Sequence, residues 1–171
     1  GGAAPAPGRR CGGVAVFDFD QTLTTRHVGV FEDLQQVRER SFGGAERLAM
    51  LAAMLGELRA RQVAVALVSR NSRHVVRQAL ERAGLLAYVE EGLIFGFEDY
   101  DNEVPKSHVL RTKVLRALEL PEARALFVDD DPSNIQDVQE CCPGATALRC
   151  PRQGLQPEQC EEILAWAERL G

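Results

Sequence analysis

The chain has 171 residues, enough for one domain with a substantial core but not for two of ordinary size. Apolar residues at 45% and charged residues at 26% are ordinary globular values, which argues against wholesale disorder. A formal net charge of −5 lacks the basic face that nucleic acid normally requires, and no apolar run is long enough for a membrane span.

Gly1 to Gly13 is rich in Gly, Ala and Pro and reads as a disordered lead, so the folded domain is expected over 14–171. The first strand is expected in Val14-Ala15-Val16-Phe17, a short apolar run with β-branched residues. It delivers Asp18, Asp20 and the hydroxyl residues Thr22 and Thr24. Val28, Val30 and Phe31 suggest a small hairpin or flap, followed by a short helix over Glu32 to Arg40. Ala45 to Ala60 is an amphipathic helix carrying Leu48, Leu51, Leu55 and Leu58 on one stripe, a core face. Val63 to Val68 is the second strand and ends in Ser69-Arg70-Asn71-Ser72. A helix from Ser72 to Arg82 follows, with Gly84 as its C-terminal stop. Leu93 to Phe97 reads as a third strand and Glu98 to Val104 as an acidic loop. Pro105-Lys106-Ser107 opens a helix to Glu119 with Ser107 as its cap. Leu126-Phe127-Val128 is the fourth strand and delivers Asp129-Asp130-Asp131. Pro132 and Ser133 start a helix to Glu140, Ala145 to Leu148 is a weak fifth strand, and a final helix spans Pro157 to Leu170.

Strands alternating with helices imply βαβ units and a parallel sheet of about five strands, doubly wound between helical layers. The five cysteines, Cys11, Cys141, Cys142, Cys150 and Cys160, lack C-x-x-C spacing, and an odd count argues against a complete disulfide framework. They read as reduced thiols of an intracellular, cytoplasmic protein, with any upstream targeting segment invisible.

The strand ends share one chemistry. Asp18 and Asp20 at the carboxyl end of a buried parallel strand stand in the crevice where open α/β sheets bind ligands. Acids so close repel unless one is protonated or a cation lies between them. Mg2+ suits the position, since it takes oxygen ligands and commonly uses one or two carboxylates plus phosphate oxygens. An Asp held against such a metal can act as a covalent nucleophile. Taken singly, Ser69 reads as a helix cap, Lys106 as a surface charge and Asp129 to Asp131 as a turn. Their joint placement at strand ends is hard to obtain by chance.

This set resembles the haloacid dehalogenase-like superfamily of Mg2+-dependent phosphohydrolases over roughly residues 14–150. Asp18-Phe19-Asp20-Gln21-Thr22 matches its D-x-D-x-T motif, and Ser69 after Val63 to Val68 matches the second motif. Lys106 matches the third and precedes Asp129 by 23 residues, while Val128 to Asn134 is similar to the acidic fourth motif. Lys113 is a poorer candidate, because it falls inside the helix. Gln21 stands where many members carry Gly.

The resemblance implies a three-layer α/β/α, Rossmann-like domain and gives the residues roles. Asp18 would attack the phosphoryl group to form an aspartyl-phosphate, and Asp20 would protonate the leaving oxygen and then deprotonate water. Mg2+ would be held by Asp18, the backbone carbonyl of Asp20 and Asp129, with Asp130 as ligand or anchor. Ser69 and Lys106 would bind phosphoryl oxygens, with Thr22, Arg70 and Asn71 beside them. Arg26 and His27 are further candidates for substrate contact, whereas His74 and His108 belong on helix surfaces.

Family caps are inserted after the first motif or before the Lys motif. Roughly twenty and about ten residues occupy those slots, too few for a separate domain. The resemblance thus implies an uncapped, open site for a phosphorylated protein or small molecule. Two rivals are a silent phosphate- or partner-binding regulatory module with the same fold, and a receiver domain. The receiver reading puts the acidic pair at the first strand and the phospho-acceptor at the third, opposite to the order here. The domain also suits a part of a longer chain.

Overall fold

The computed structural model describes residues 11–29, 33–101 and 103–171. Most of the Gly-rich lead, Val30 and Phe31 of the expected flap, and Glu32 at the start of the expected short helix lie outside these. Gly13 already belongs to the first strand.

Five strands run parallel: β1 (Gly13–Phe17), β2 (Val63–Val68), β3 (Ile94–Phe95), β4 (Ala125–Asp129) and β5 (Thr146–Arg149). Their order is β3-β2-β1-β4-β5, so β1 is central and the winding reverses beside it. Register pairs Val14 with Ala64 on one side and with Ala125 on the other. Every residue of β1, β2 and β4 is buried, as expected for parallel strands covered on both faces.

Alternation splits the side chains between two cores. Ala15, Phe17, Val65 and Leu67 join Leu51, Leu55 and Leu58 of α2 (Ala45–Ala60), Val76 and Leu80 of α3 (Arg73–Arg82) and Ile163 of α6 (Pro157–Arg169). Val14, Val16, Ala66 and Val68 join Val109 and Val114 of α4 (residues 106–118) and Ile135 and Val138 of α5 (Pro132–Cys141). α4 runs from Lys106–Val109 through a widened turn, Leu110–Leu115, to Arg116–Leu118. The result is the expected three-layer α/β/α sandwich. A short helix α1, Leu34–Gln36 widening over Val37–Ser41, packs at the edge of the first core through Val37. Neither slot for an insertion holds a second domain among the described residues. None of their helices is long and apolar enough to cross a membrane.

Several boundaries differ from the sequence reading. β3 is two residues long instead of Leu93 to Phe97, because it pairs only with Leu67 and Val68. The chain then turns at Gly96, where a Cβ would lie 2.2 Å from the Arg73 backbone nitrogen. Phe97 is left about half exposed. Ser107 does not cap α4. It sits inside the helix, and Asp137 of α5 accepts both its N–H, at 2.9 Å, and its hydroxyl, at 2.8 Å. Asp131, the last acid of the fourth motif, caps α5 by accepting the Ser133 N–H at 2.8 Å. Gly84, at φ +75°, follows α3 in the left-handed conformation that stops it. All five cysteines are free thiols.

Candidate active site

Parallel register places the ends of β1, β2 and β4 side by side. The Asp18 N–H donates to the Val128 carbonyl at 2.9 Å, so the loop leaves β1 directly beside β4. One cleft at this edge is lined by Asp18, Asp20, His27, Ser69, Arg70, Asn71, Lys106, Asp129 and Asp130, nine residues singled out from the sequence. Gln21, Asp131 and Asn134 complete it. Lys113 is exposed on its helix, as are His74 and His108, and Arg26 is exposed outside the lining.

Lys106 is almost fully buried, and its Nζ lies 3.0 Å from Asp18 Oδ1 and 2.8 Å from Asp129 Oδ2. Burial alone would lower its pKa, but the two carboxylates outweigh burial and hold it above the ordinary lysine value. It is a permanent ammonium. Asp18 is pushed up to about 6, chiefly by burial, against the pull of Lys106 and with an added push from Asp130. Burial also raises Asp129 and Asp130. Carboxylate oxygens of Asp18, Asp129 and Asp130 lie within 4.8 Å of one another. Three acids facing one ammonium leave two formal negative charges, so the oxygen donors and their charge fit a hard divalent cation.

Supports surround the cluster. Asp129 Oδ1 accepts the Asp131 N–H at 2.9 Å, and Asn134 Nδ2 donates to Asp129 Oδ2 at 3.1 Å. Thr22, expected at the substrate, is instead fully buried and absent from the cleft lining. Its hydroxyl lies 3.4 Å from Asp18 Oδ2 and 3.3 Å from Asp130 Oδ1, bracing two acids from below. Ser69 is buried at the end of β2, and its hydroxyl accepts the Asn71 N–H at 3.0 Å.

Asp20 belongs to a different environment. Oδ1 accepts the Val28 N–H at 2.8 Å, while Oδ2 accepts Asn71 Nδ2 at 3.0 Å and lies 3.2 Å from His27 Nδ1. Burial raises its pKa as well, opposed by these hydrogen bonds and the His27 charge. Just after Asp20 the backbone turns through Gln21 at φ +61°, a left-handed conformation that costs a side-chain-bearing residue about 1–2 kcal/mol. Gly would relieve that cost.

Two residues escaped the sequence reading. The Tyr100 hydroxyl donates to the Ser69 carbonyl at 2.6 Å, and its ring carries the Arg70 guanidinium 5.8 Å from the centroid. Arg47 of α2 donates to the carbonyls of Leu23 and Phe42 through Nη1, and of Thr22 and Leu155 through Nη2. No carboxylate pairs with it among the described residues, and its Nε is buried without a partner. Gly154, at φ +87°, lets the chain pass this cage, since a Cβ there would lie 2.4 Å from the Thr24 carbonyl.

The sequence matches the haloacid dehalogenase-like hydrolase family over residues 46–141, more than half the chain. The chain belongs to this family. No curated protein matches it. Among solved structures, the N-terminal part of a Bacteroides fragilis protein, containing a phosphatase domain complexed with Mg, aligns with TM-score 0.64 at 21% identity. That alignment covers 94% of this haloacid dehalogenase-like chain and 40% of the Bacteroides chain. The 3-deoxy-D-manno-octulosonate 8-phosphate phosphatase of Moraxella catarrhalis, in complex with a magnesium ion, a phosphate ion and a KDO molecule, aligns with TM-score 0.56 at 14% identity. It covers 95% of this chain and 90% of the enzyme. The haloacid dehalogenase domain of the Legionella pneumophila effector Lem4 aligns with TM-score 0.54 at 16% identity, covering 94% of this chain and 98% of that one. At such identities the likeness is one of fold.

Proposed function

We propose that the protein is a Mg2+-dependent phosphomonoester hydrolase working through an aspartyl-phosphate on Asp18. The observation that carries this reading is the division of labour between two acids on one loop. Asp18 lies in the buried charge cluster with Lys106, Asp129 and Asp130, and Asp20 is held apart by polar groups at the cleft wall. A nucleophile must stay ionised beside positive charge, and a general acid must keep its own proton, so the two need different surroundings.

In the proposed reaction an Asp18 oxygen bonds to phosphorus while the ester P–O bond breaks. The departing oxygen takes the proton of Asp20. The leaving alcohol exchanges for water, Asp20 accepts a proton from that water, and the water oxygen bonds to phosphorus. The bond to Asp18 then breaks and inorganic phosphate forms. Lys106 and the Ser69 hydroxyl stabilise the phosphoryl oxygens through these steps. Asp18, Asp129 and Asp130, with the backbone carbonyl of Asp20 as a further donor, would hold Mg2+, which would supply charge neutralisation at the phosphoryl group. Among the described residues no folded insertion covers the cleft, which favours exposed phosphates, among them phosphoprotein side chains. The Mg-bound phosphatase domain and the KDO 8-phosphate phosphatase among the structural relatives support phosphate chemistry. The test is 4-nitrophenyl phosphate hydrolysis with Mg2+ and with EDTA, using D18N as control. Release that requires metal and vanishes in D18N supports the reading, and metal-independent release overturns it.

A further inference from the structure

Asn71 follows Ser69 by two residues and lines the cleft, which groups it with substrate contacts in the sequence. Its hydrogen bonds point elsewhere. Nδ2 donates to Asp20 Oδ2 at 3.0 Å and to the Val28 carbonyl at 2.9 Å. A primary amide has two N–H donors, so both are committed. Oδ1 accepts the Ser72 N–H at 2.7 Å. The Val28 N–H closes the ring by donating to Asp20 Oδ1 at 2.8 Å.

Each corner of this ring is anchored. The Val28 side chain is buried in the core beneath α3. The Asn71 N–H donates to Ser69 Oγ at 3.0 Å, and its carbonyl accepts the Phe97 N–H at 3.0 Å. Asp20 lies in the turn just before the left-handed Gln21, and the terminal torsion of an Asp side chain is broad. The ring removes that freedom. It also links Asp20 to the strand end bearing Ser69.

We propose that Asn71 is a positioning residue that aims the Asp20 carboxyl at the leaving-group oxygen, and that it makes no contact with the phosphoryl group. The proposal rests on the phosphomonoesterase reading above. A residue acting through the general acid matters most when the leaving oxygen is basic and needs the proton. A phosphoryl contact matters equally for every ester.

The test compares N71A and N71S with the unaltered full chain in Mg2+, across 4-nitrophenyl phosphate, phenyl phosphate and an alkyl phosphate. The readout is kcat/KM, which reports steps through transfer to Asp18, together with inhibition by inorganic phosphate. For N71A the expected loss is about 3–10-fold on the nitrophenyl ester, rising to about 100-fold or more on the alkyl ester. Phosphate inhibition should stay within about twofold, because charge-assisted phosphoryl contacts remain intact. N71S, which keeps one donor, should show the same trend more weakly and serves if N71A fails to fold. Equal losses on all esters, or much weaker phosphate inhibition, overturn the proposal for Asn71 while leaving the phosphatase reading standing. An unaltered chain inactive on every ester overturns both.

Discussion

Asp18 and Asp20 lie two residues apart on one loop, yet they inhabit different media. Asp18 faces a buried ammonium and two more carboxylates, where its protonation is decided by burial set against charge. Asp20 faces a backbone N–H, an amide and a partly solvated imidazole, where its orientation is decided by hydrogen bonds. One residue, Phe19, separates the two, and the left-handed Gln21 follows Asp20. Positions two apart in sequence can thus be given separate chemistry, provided each side chain has its own supports.

The comparison is broken most sharply by removing the charge at Asp18. D18N should lower phosphate-ester hydrolysis by at least about 10³-fold while leaving the Tm near or above that of the unaltered protein. The amide keeps the shape and deletes one buried negative charge. Hydrolysis assays beside thermal melts check both halves. The next largest effect is on stability. K106M leaves three buried acids without their ammonium, and breaking a buried pair in this way costs about 3–5 kcal/mol. Urea unfolding in EDTA measures that loss, and added Mg2+ should recover part of it.

Acidity sharpens the contrast further. Asp18 titrates near 3.8 when unfolded and at about 6 in the fold. A raised carboxyl means the folded state binds the proton more tightly. Its stabilising effect is therefore full below the unfolded value and is lost as pH climbs through the folded one. Metal-free protein should gain about 1 kcal/mol from Asp18 alone between pH 7.5 and 5.5, and saturating Mg2+ should abolish the gain. Thermal melts at both pH values, with EDTA and with Mg2+, read this directly. The smallest effect concerns a support away from the cluster. D137A strips two hydrogen bonds from Ser107 at the start of α4 and should cost about 1 kcal/mol in urea unfolding.

The sequence reading succeeds where chemistry is local to a strand. Val14 to Phe17, Val63 to Val68 and Leu126 to Val128 are continuous apolar runs because helices cover both faces, and their ends carry Asp18, Ser69, Asp129 and Asp130. It falters where a distant partner decides. β3 is cut short by what β2 offers it, and Ser107 looks like a cap until Asp137, thirty residues on, supplies the carboxylate. Thr22 sits in the motif at the expected place, but only the fold reveals that it faces inward, toward Asp18 and Asp130. Nothing local separates Arg47 from the other charged residues of α2, because its partners are carbonyls of three different loops. Asn71 was legible as a residue of the site; its direction was not.

The carbonyl cage around Arg47 has a consequence for the timing of order. Thr22 and Leu23, the end of the segment that follows them at Phe42, and the loop at Leu155 are all gathered by one guanidinium. Carbonyls attract a cation whether or not a substrate is bound, so these loops converge when the chain folds. The entropy of arranging the reactive turn is then spent once per molecule, at folding, and not again with each substrate captured.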